Sequence, residues 1–513
     1  MSTPTARVVV TGGLVVDGSG QPGRLADVDI VGGQVVQIAP AGSLRHAGAD
    51  QVEDASGLVV CPGFIDPHSH SDESPLQDVD DTAKILQGIT TEIVGNCGTS
   101  PDPRAHGGFK GLYERLDRAG YVTNYCPLVG HGRLREVVMG MRSGRPDPEQ
   151  AQRMARMLDD AMEAGAWGLS SGLVYPPGVF SEADEMVALA TRLPKGRVYA
   201  THMRDEGRHL QESVAEALDV ARRACVRLQI SHLKAAGIPS WGKVGAALGQ
   251  LDDARRAGVD VHQDVYPYDA SSTTLLVCMP PWFQEGGADE VMRRLQDADC
   301  LARARRDIED DDGSWENVIA EDGYDRIQVA SAASPAHEGA TLAGLASSLG
   351  IEPFDVVVRL LRESRLGAMI VDFSMSEDDV RQVLVHPHTS VCTDGDPDQL
   401  AGKPHPRLYG SFPRVLGRYV RQLQVLRLEA AVRKMTSLTA DVFGMAGRGR
   451  LRSGYVADLV VFDPDTIMDR GTYANPRVPP VGVHLVMQGG IAVVREGEWL
   501  GVRRGQRLVP AEG

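Results

Sequence analysis

The sequence predicts an α/β protein built on a (β/α)8 TIM-like barrel, with a small β domain formed by both chain ends and an inserted helical subdomain. Three observations support this fold class. Short apolar segments recur between about residues 58 and 445, each ends in polar, Gly-rich or His-rich residues, and helical stretches such as 149–163 and 210–224 separate several of them. Repeated strand–helix units are typical of these barrels, whose active sites lie at the carboxyl ends of the strands.

Eight apolar segments are present, one for each strand of the predicted barrel. The first begins with Leu58 to Cys61, which has the length and β-branching of a buried strand. The segments end at His68-Ser-His70, Gly95-Asn-Cys97-Gly98, Gly130-His131-Gly132, Ser170-Ser-Gly172, Thr201-His202, Ser231-His232, Asp264 to Tyr268, and Cys392-Thr-Asp394.

The two ends of the chain differ from its middle. Both contain short β-branched runs separated by Gly-rich turns, such as the runs on either side of Gly12 and Gly13. We expect residues 1–57 and 446–513 to form one small β-sandwich domain, and residues 58–445 to form the barrel.

The spacer between Tyr268 and Thr393 is too long for a single barrel connection. Its part from 288 to 325 is acidic and helical. We therefore predict an inserted helical subdomain over 284–345. This segment either folds over the mouth of the barrel or decorates the surface without a role at the site.

The overall composition limits the partners and the location of the protein. The chain has 513 residues and a net charge of -16, so nucleic acid and anionic membranes are poor partners for its surface. It contains no run of 18 apolar residues and no secretory leader at Met1. Its seven scattered cysteines are typical of reduced thiols. We expect a cytoplasmic protein with a small-molecule substrate; the sequence leaves its oligomeric state open.

Metal-ligand residues stand at the predicted strand ends. His68 and His70 share one face because residues i and i+2 of a strand point the same way. Three imidazoles, or two with a thiolate, suit zinc, and a carboxylate can bridge metals or act as a base. The candidates for this site are His68, His70, Cys97, His202, His232 and Asp394.

Three further residues are candidates for contact with a substrate. Arg407 follows His405-Pro on a Gly- and Pro-rich stretch, where it either clamps a carboxylate or pairs with a surface acid. Lys234 lies two residues after His232 and is expected on the same face. His131 also ends a strand and is expected to line the pocket without touching metal.

Several motifs together resemble the D-aminoacylase, or N-acyl-D-amino-acid deacylase, family of the amidohydrolase superfamily. They are Pro62 to His70, Gly88-Ile-Thr-Thr91, Gly95-Asn-Cys-Gly98, Ser231-His-Leu-Lys234, Tyr266-Pro-Tyr268, Thr393-Asp-Gly395 and His405 to Gly417. The resemblance implies zinc-dependent hydrolysis of N-acyl-D-amino acids to a carboxylate and a free D-amino acid. It covers nearly the whole chain.

The resemblance also implies roles for individual residues. Cys97, His202 and His232 would hold a tight zinc ion, and His68, His70 and Asp394 would border a second, weaker metal position. Asp394 would be the general base. The expected substrate-binding residues are Lys234, Tyr266, Ser272, Arg407 and Tyr175, and Val174 stands where a relative carries an aromatic residue.

Two other functions remain open from the sequence alone. One is another amidase or a cyclic-amide hydrolase on the same scaffold, because a fold does not determine a substrate. The predicted fourth strand, Trp167 to Gly172, has no lysine to bridge two metals, which argues against hydantoinase-like sites. The other is a non-catalytic barrel that serves as a binding subunit.

Overall fold

The structure is a computed structural model that describes residues 6–77, 82–397 and 402–511. Eight parallel strands form the barrel at its centre. In chain order they are β1 (Phe64–Asp66), β2 (Ile89–Val94), β3 (Asn124–Pro127), β4 (Gly168–Gly172), β5 (Val198–His202), β6 (Arg227–Ile230), β7 (Val261–Val265) and β8 (Thr389–Val391).

Parallel pairing runs around the barrel. Strands β1 to β3 pair in sequence, and β4 to β8 pair in sequence. Two short links complete the circle. A strand at Val129–Gly130 continues β3 and pairs with β4, and a bridge joins Ser69 to Gly395 beyond the ends of β1 and β8. The eight predicted strand ends therefore lie at one rim.

The first barrel strand begins later than the sequence suggests. The apolar run at Val59–Pro62 pairs with Leu459–Phe462 in another sheet, and the barrel starts at Phe64. Pro62 has no N–H to donate, which favours a break in a strand here. Gly63 lets the chain pass close to β2, because a Cβ at this position would lie 2.3 Å from Oγ1 of Thr90.

Amphipathic helices cover the outside of the barrel. Pro148–Glu163 begins with a capping box in which Asp147 and Gln150 bond to each other's backbone N–H groups. The α-helices outside the insertion are Thr82–Ile85, Phe109–Ala119, His131–Met139, Pro148–Glu163, Ala183–Ala190, Leu210–Ala224, Val244–Arg256, Glu377–Val385, Arg407–Arg414, Leu428–Lys434 and Ser437–Phe443. A π-helix, Val415–Gln422, continues Arg407–Arg414, and short 3-10 turns lie at Ser74–Leu76, Arg104–His106, Gly178–Phe180 and Ile238–Ser240.

Strands from both chain ends form one nine-stranded sheet. Val59–Pro62 lies in it, although these residues fall within the range 58–445 proposed for the barrel. Gly12 and Gly13 do not separate two strands as predicted. They lie inside one long strand whose register shifts between Val10 and Gly13, and glycine inside a strand often marks such a bulge. The strands of this sheet are Arg7–Val15, Arg24–Val31, Gln34–Pro40, Gln51–Asp54, Val59–Pro62, Leu459–Phe462, Val483–Gln488, Ile491–Arg495 and Glu498–Trp499.

A second hydrophobic core lies between β7 and β8. It includes Leu275 at one end and Ile370 at the other, so the range 284–345 proposed for the insertion lies within it. Its three antiparallel strands are Ser271–Thr274, Ile327–Ser331 and Met369–Asp372. Its helices are Pro281–Gln284, Ala288–Arg294, Ala298–Asp310, Val318–Asp322, Leu342–Leu349 and Pro353–Glu363, with 3-10 turns at Leu275–Cys278 and Pro335–His337. Within the described ranges, no helix is long and apolar enough to cross a membrane.

Candidate active site

A cavity of about 790 Å³ opens at the carboxyl ends of the barrel strands. Its wall combines the barrel rim with the insertion, which contributes Glu316 and Asp372 among other residues. The lining includes most of the predicted ligand residues: His70, Cys97, His202, His232 and Asp394. His68 lies below them and is fully buried. The structure thus brings all six predicted metal-type residues to one place.

Cys97 lies at the centre of three imidazoles. Its Sγ atom is 3.3 Å from Nε2 of His68, 3.8 Å from Nδ1 of His202 and 3.6 Å from Nε2 of His232. Burial alone would raise the pKa of the Cys97 thiol, but His68 and the bonds from the other two histidines hold it well below its usual value. A thiolate is the form of cysteine that binds metal.

These distances suit a zinc ion. Zinc–sulfur and zinc–nitrogen bonds of about 2.3 and 2.0 Å at a tetrahedral angle place the two ligand atoms about 3.5 Å apart. The three Sγ–nitrogen distances at Cys97 bracket this value. Among the described residues, three groups have ligand atoms within 4.8 Å of one another: His68, Cys97 and His232; His68, His70 and Asp394; and His202, Glu206 and His232.

Asp394 lies beside this cluster and is nearly buried. Its Oδ1 atom is 3.1 Å from Nε2 of His70 and 3.3 Å from Nε2 of His68. Its Oδ2 atom is 2.8 Å from Nη1 of Arg407. Burial would raise the pKa of Asp394, but Arg407 and the nearby imidazoles hold it well below the usual range. The carboxylate is therefore ionised at neutral pH.

Three of the central residues have left-handed backbone. The φ angles are 51° at Cys97, 32° at His232 and 48° at Asp394. Such values are uncommon for residues with a side chain and concentrate at functional sites. Each of these residues stands just beyond the end of a barrel strand, where the chain turns the side chain toward the common centre.

Two carboxylates hold the histidines, and neither is among the site residues predicted from the sequence. Asp264 accepts a bond of 2.7 Å from the backbone N–H of His232 and lies 3.5 Å from Nδ1 of His68. Glu206 lies 3.2 Å from Nδ1 of His232 and 3.5 Å from Nε2 of His202. Such partners orient histidine ligands. The available signal for Glu206 was its position four residues after His202.

The predicted substrate-binding residues also line the cavity. The guanidinium of Arg407 stacks over the Tyr266 ring at 4.7 Å and donates to the backbone carbonyl of Ser272 at 3.2 Å. The Tyr175 ring lies 5.0 Å from that of His202. The Ser272 hydroxyl donates to the carbonyl of Ile370, and the ammonium of Lys234 binds Glu206. Arg407 is a buried cavity residue rather than a surface one.

The buried ammonium of Lys84 lies beneath the metal-type residues and binds the segments that carry them. Nζ of Lys84 lies 3.0 Å from carboxylate oxygens of both Asp66 and Glu92, and it donates to Oγ of Ser69 at 2.7 Å. Burial would lower the pKa of Lys84, but the two carboxylates raise it above the usual value. The segment that carries His68 and His70 is thus fixed to β2 by an ion pair.

His131 does not line the cavity. It is fully buried, and its Nε2 atom lies 2.7 Å from Glu185, which also binds Arg135. The first helix after β3 begins at His131, so the side chain turns toward the outer helices. The prediction that it borders the pocket is wrong.

Comparisons with known proteins agree with this geometry. The model of the amidohydrolase family matches residues 51–494, and the chain belongs to that family. Relatives of known activity then indicate which amidohydrolases this chain is most similar to. An N-acyl-D-glutamate deacylase of Alcaligenes xylosoxydans xylosoxydans is 39% identical over 95% of this chain and 93% of its own.

Two solved structures have the same fold. The N-acyl-D-glutamate deacylase of Bordetella bronchiseptica, complexed with zinc and a phosphonate mimic of the tetrahedral intermediate, is 33% identical with a TM-score of 0.84, covering 99% of this chain and all of that one. A D-aminoacylase described with a binuclear metal centre, in which one metal activates and the second attenuates, is 34% identical with a TM-score of 0.82 and the same coverage. The predicted barrel fold is confirmed.

Proposed function

We propose that this chain is a zinc-dependent hydrolase that cleaves N-acyl-D-amino acids to a carboxylate and a free D-amino acid. The observation that carries the proposal is the Cys97 sulfur among three imidazoles, with the carboxyl group of Asp394 beside them in a cavity. The deacylase names of relatives that cover nearly the whole chain support this substrate class.

The proposed metal ligands fall into two sets. Cys97, His202 and His232 hold one tight zinc ion, and His68, His70 and Asp394 border a second, weaker position. Zinc, when bound, polarises a carbonyl and makes water more acidic. The absence of a lysine from β4 supports a cysteine in place of a lysine-derived bridge.

Asp394 is the proposed general base. Its Oδ1 atom faces His68 and His70, and the low pKa leaves it free of a proton before the reaction. It accepts a proton from the attacking water and returns that proton to the leaving nitrogen. A positioned base of this kind contributes about 10²–10⁴-fold in rate.

The substrate carboxylate is proposed to bind at Arg407. The guanidinium is held by the ring of Tyr266, by the carbonyl of Ser272 and by Oδ2 of Asp394, so its fork has a fixed position in the cavity. A fixed bidentate contact sets the position of the α-carbon and thereby favours one hand of the substrate. Tyr175 borders the place of the D-side chain, and Lys234 lies beside His232 at 2.8 Å from Nδ1.

We also propose a cytoplasmic location. All seven cysteines lie in the described ranges, none of them forms a disulfide there, and four are fully buried. Persistent free thiols are typical of reducing compartments.

The experiment that tests the function is a substrate panel. Zinc-loaded protein is incubated with matched N-acetyl-D- and N-acetyl-L-amino acids, and the released amine is measured. We expect release from D-substrates only. Turnover of cyclic imides without turnover of any N-acetyl-D-amino acid would assign the site to another amide hydrolase.

A further inference from the structure

Two hydrogen bonds join the segment that carries Arg407 to the segment that carries Ser272. Nη2 of Arg407 donates to the backbone carbonyl of Ser272 at 3.2 Å. Two residues earlier in each segment, Nε2 of His405 contacts the backbone carbonyl of Ala270 at 3.0 Å. The first segment follows β8, and the second follows β7 and leads into the insertion. The two segments are therefore joined twice, once at the guanidinium and once at the imidazole.

His405 also binds the backbone of Arg407 itself. Its Nδ1 atom accepts a bond of 3.0 Å from the N–H of Arg407. Arg407 is the first residue of the helix Arg407–Arg414, and the first four N–H groups of a helix have no partner within it. The bond resembles an Asx turn, in which a side chain accepts from the N–H two residues further along. The imidazole thus fixes the point at which the arginine side chain leaves the backbone.

The imidazole of His405 has one orientation and one protonation state. A ring that donates from Nε2 to a carbonyl and accepts an N–H at Nδ1 is the neutral Nε2–H tautomer. The residue is 3% exposed, and its ring meets those of Tyr268 and Tyr473 edge-on at 5.2 Å. Burial and the charge of Arg407 hold the pKa of His405 well below its usual value. The ring therefore keeps both hydrogen bonds at neutral pH.

His405 supports the cavity without being part of its described wall. Arg407 lines the cavity, whereas His405 lies behind it. An effect of His405 on a substrate therefore passes through Arg407. Substrates with an α-carboxylate use the guanidinium of Arg407 in the function proposed above, and the corresponding amides do not. The contribution of His405 should for this reason depend on the charge of the substrate.

We propose that His405 is a positioning residue for the substrate carboxylate: it holds Arg407 against residues 270–272 and so sets the distance between the bound carboxylate and the metal-type residues. The inference rests on the function proposed above. It adds a residue that touches neither substrate nor metal to the set that determines which substrates are cleaved. A displacement of about 1 Å in a positioning group can cost about 10²-fold in rate, so the two bonds of one imidazole are enough to matter.

The test compares N-acetyl-D-amino acids with the corresponding uncharged amides. His405→Leu removes both bonds, and we expect kcat/KM for the acids to fall about tenfold or more relative to the amides, with zinc content unchanged. His405→Asn places an oxygen on the carbon that carries Nδ1 in histidine. It keeps the bond to the N–H of Arg407 and loses the bond to Ala270, so the fall should be only about threefold.

Each other outcome has a definite meaning. Equal losses on acids and amides, or an unchanged acid-to-amide ratio in His405→Leu, would overturn the inference while the proposed function stands. A ratio in His405→Asn as low as in His405→Leu would also overturn it, because the retained bond would then have no effect. Should His405→Leu not fold, the ratio in His405→Asn decides alone, and an unchanged value refutes the role. No release from any D-substrate in the unaltered protein would remove both proposals.

His386 provides a matched control. It also precedes a proline, and its Nδ1 atom accepts from the N–H two residues further along, that of His388, at 3.4 Å. It lies before β8, at the opposite end of that strand from Asp394. His386→Leu should therefore leave the acid-to-amide ratio unchanged, even where it lowers stability. A fall equal to that in His405→Leu would show that the ratio reports a general loss of packing, and would contradict the proposal.

Discussion

Arg407 and Asp394 form a buried ion pair in which Nη1 lies 2.8 Å from Oδ2. The pair joins two proposed roles, since one partner binds the substrate carboxylate and the other accepts a proton. Arg407 is also one of the groups that hold the pKa of Asp394 low. A substrate that draws the guanidinium away would raise the basicity of Asp394 at the moment when a base is needed.

Replacement of the base should separate catalysis from binding. Asp394→Asn keeps the shape of the side chain but cannot accept a proton at neutral pH. We expect a folded protein that retains the tight zinc and loses about 10²–10⁴-fold in turnover. Zinc content, substrate affinity and single-turnover rate are measured on one preparation. Near-normal turnover would exclude the base role, and loss of zinc would make Asp394 a primary ligand.

The arginine fork should matter only for substrates with a carboxylate. Arg407→Lys keeps a positive charge near Asp394 but loses bidentate geometry. The value of kcat/KM for N-acetyl-D-amino acids should fall about tenfold or more relative to the corresponding amides. Equal losses on acids and amides would mean that Arg407 acts through Asp394 rather than on the substrate.

The thiolate should be required for the metal. Cys97→Ala removes the ligand atom at the centre of the three imidazoles, so we expect loss of tight zinc and of activity. Cys225→Ala, at an exposed thiol, is the control and should change neither. A Cys97→Ala protein with its full zinc content by elemental analysis would refute the ligand assignment.

The buried Lys84 should make a large contribution to the free energy of unfolding. Lys84→Met leaves Asp66 and Glu92 without their cation, and removal of one partner of a buried pair costs about 3–5 kcal/mol. Denaturant unfolding measures this loss. Lys195→Met, at an exposed lysine, should change the free energy of unfolding by less than about 0.5 kcal/mol. Similar values for the two variants would contradict the buried pair.

Glu321 should make the folded state less stable as the pH rises. Burial and the nearby Asp205 raise its pKa from 4.5 to about 7. The unfolded chain loses this proton first, so stability falls between pH 4.5 and 7 and then stays level. Glu321→Gln should remove about 1–3 kcal/mol of that fall. Urea unfolding at pH 5 and pH 8 tests this, with the exposed Glu114→Gln as control; an unchanged difference would refute it.

The metal-type residues at the strand ends were predictable from the sequence, whereas the carboxylates that contact them were not. Carboxyl ends of parallel strands meet at one rim, so the strand-end positions of Cys97, His202 and His232 were enough to bring them together. The contacts of Glu206 and Asp264 with the histidines depend on how adjacent strands are positioned. The spacing of residues along the chain does not determine that position. For the same reason the pairing of Lys234 with Glu206 was not foreseen. The sequence predicts a turn at Gly12 and Gly13, where the structure has a bulge, because bulges and turns are both rich in glycine.

The sheet that joins both chain ends also imposes an order on folding. Arg7–Val15 and Val59–Pro62 leave the ribosome early, whereas Leu459–Phe462, the partner of Val59–Pro62, is made only after the whole barrel. Contacts between distant parts of a chain form slowly, because loop-closure entropy opposes them. Until then Val59–Pro62 presents an unpaired edge, which favours aggregation. Recombinant yield of this protein should therefore depend on chaperone capacity during translation more than on the stability of the finished barrel.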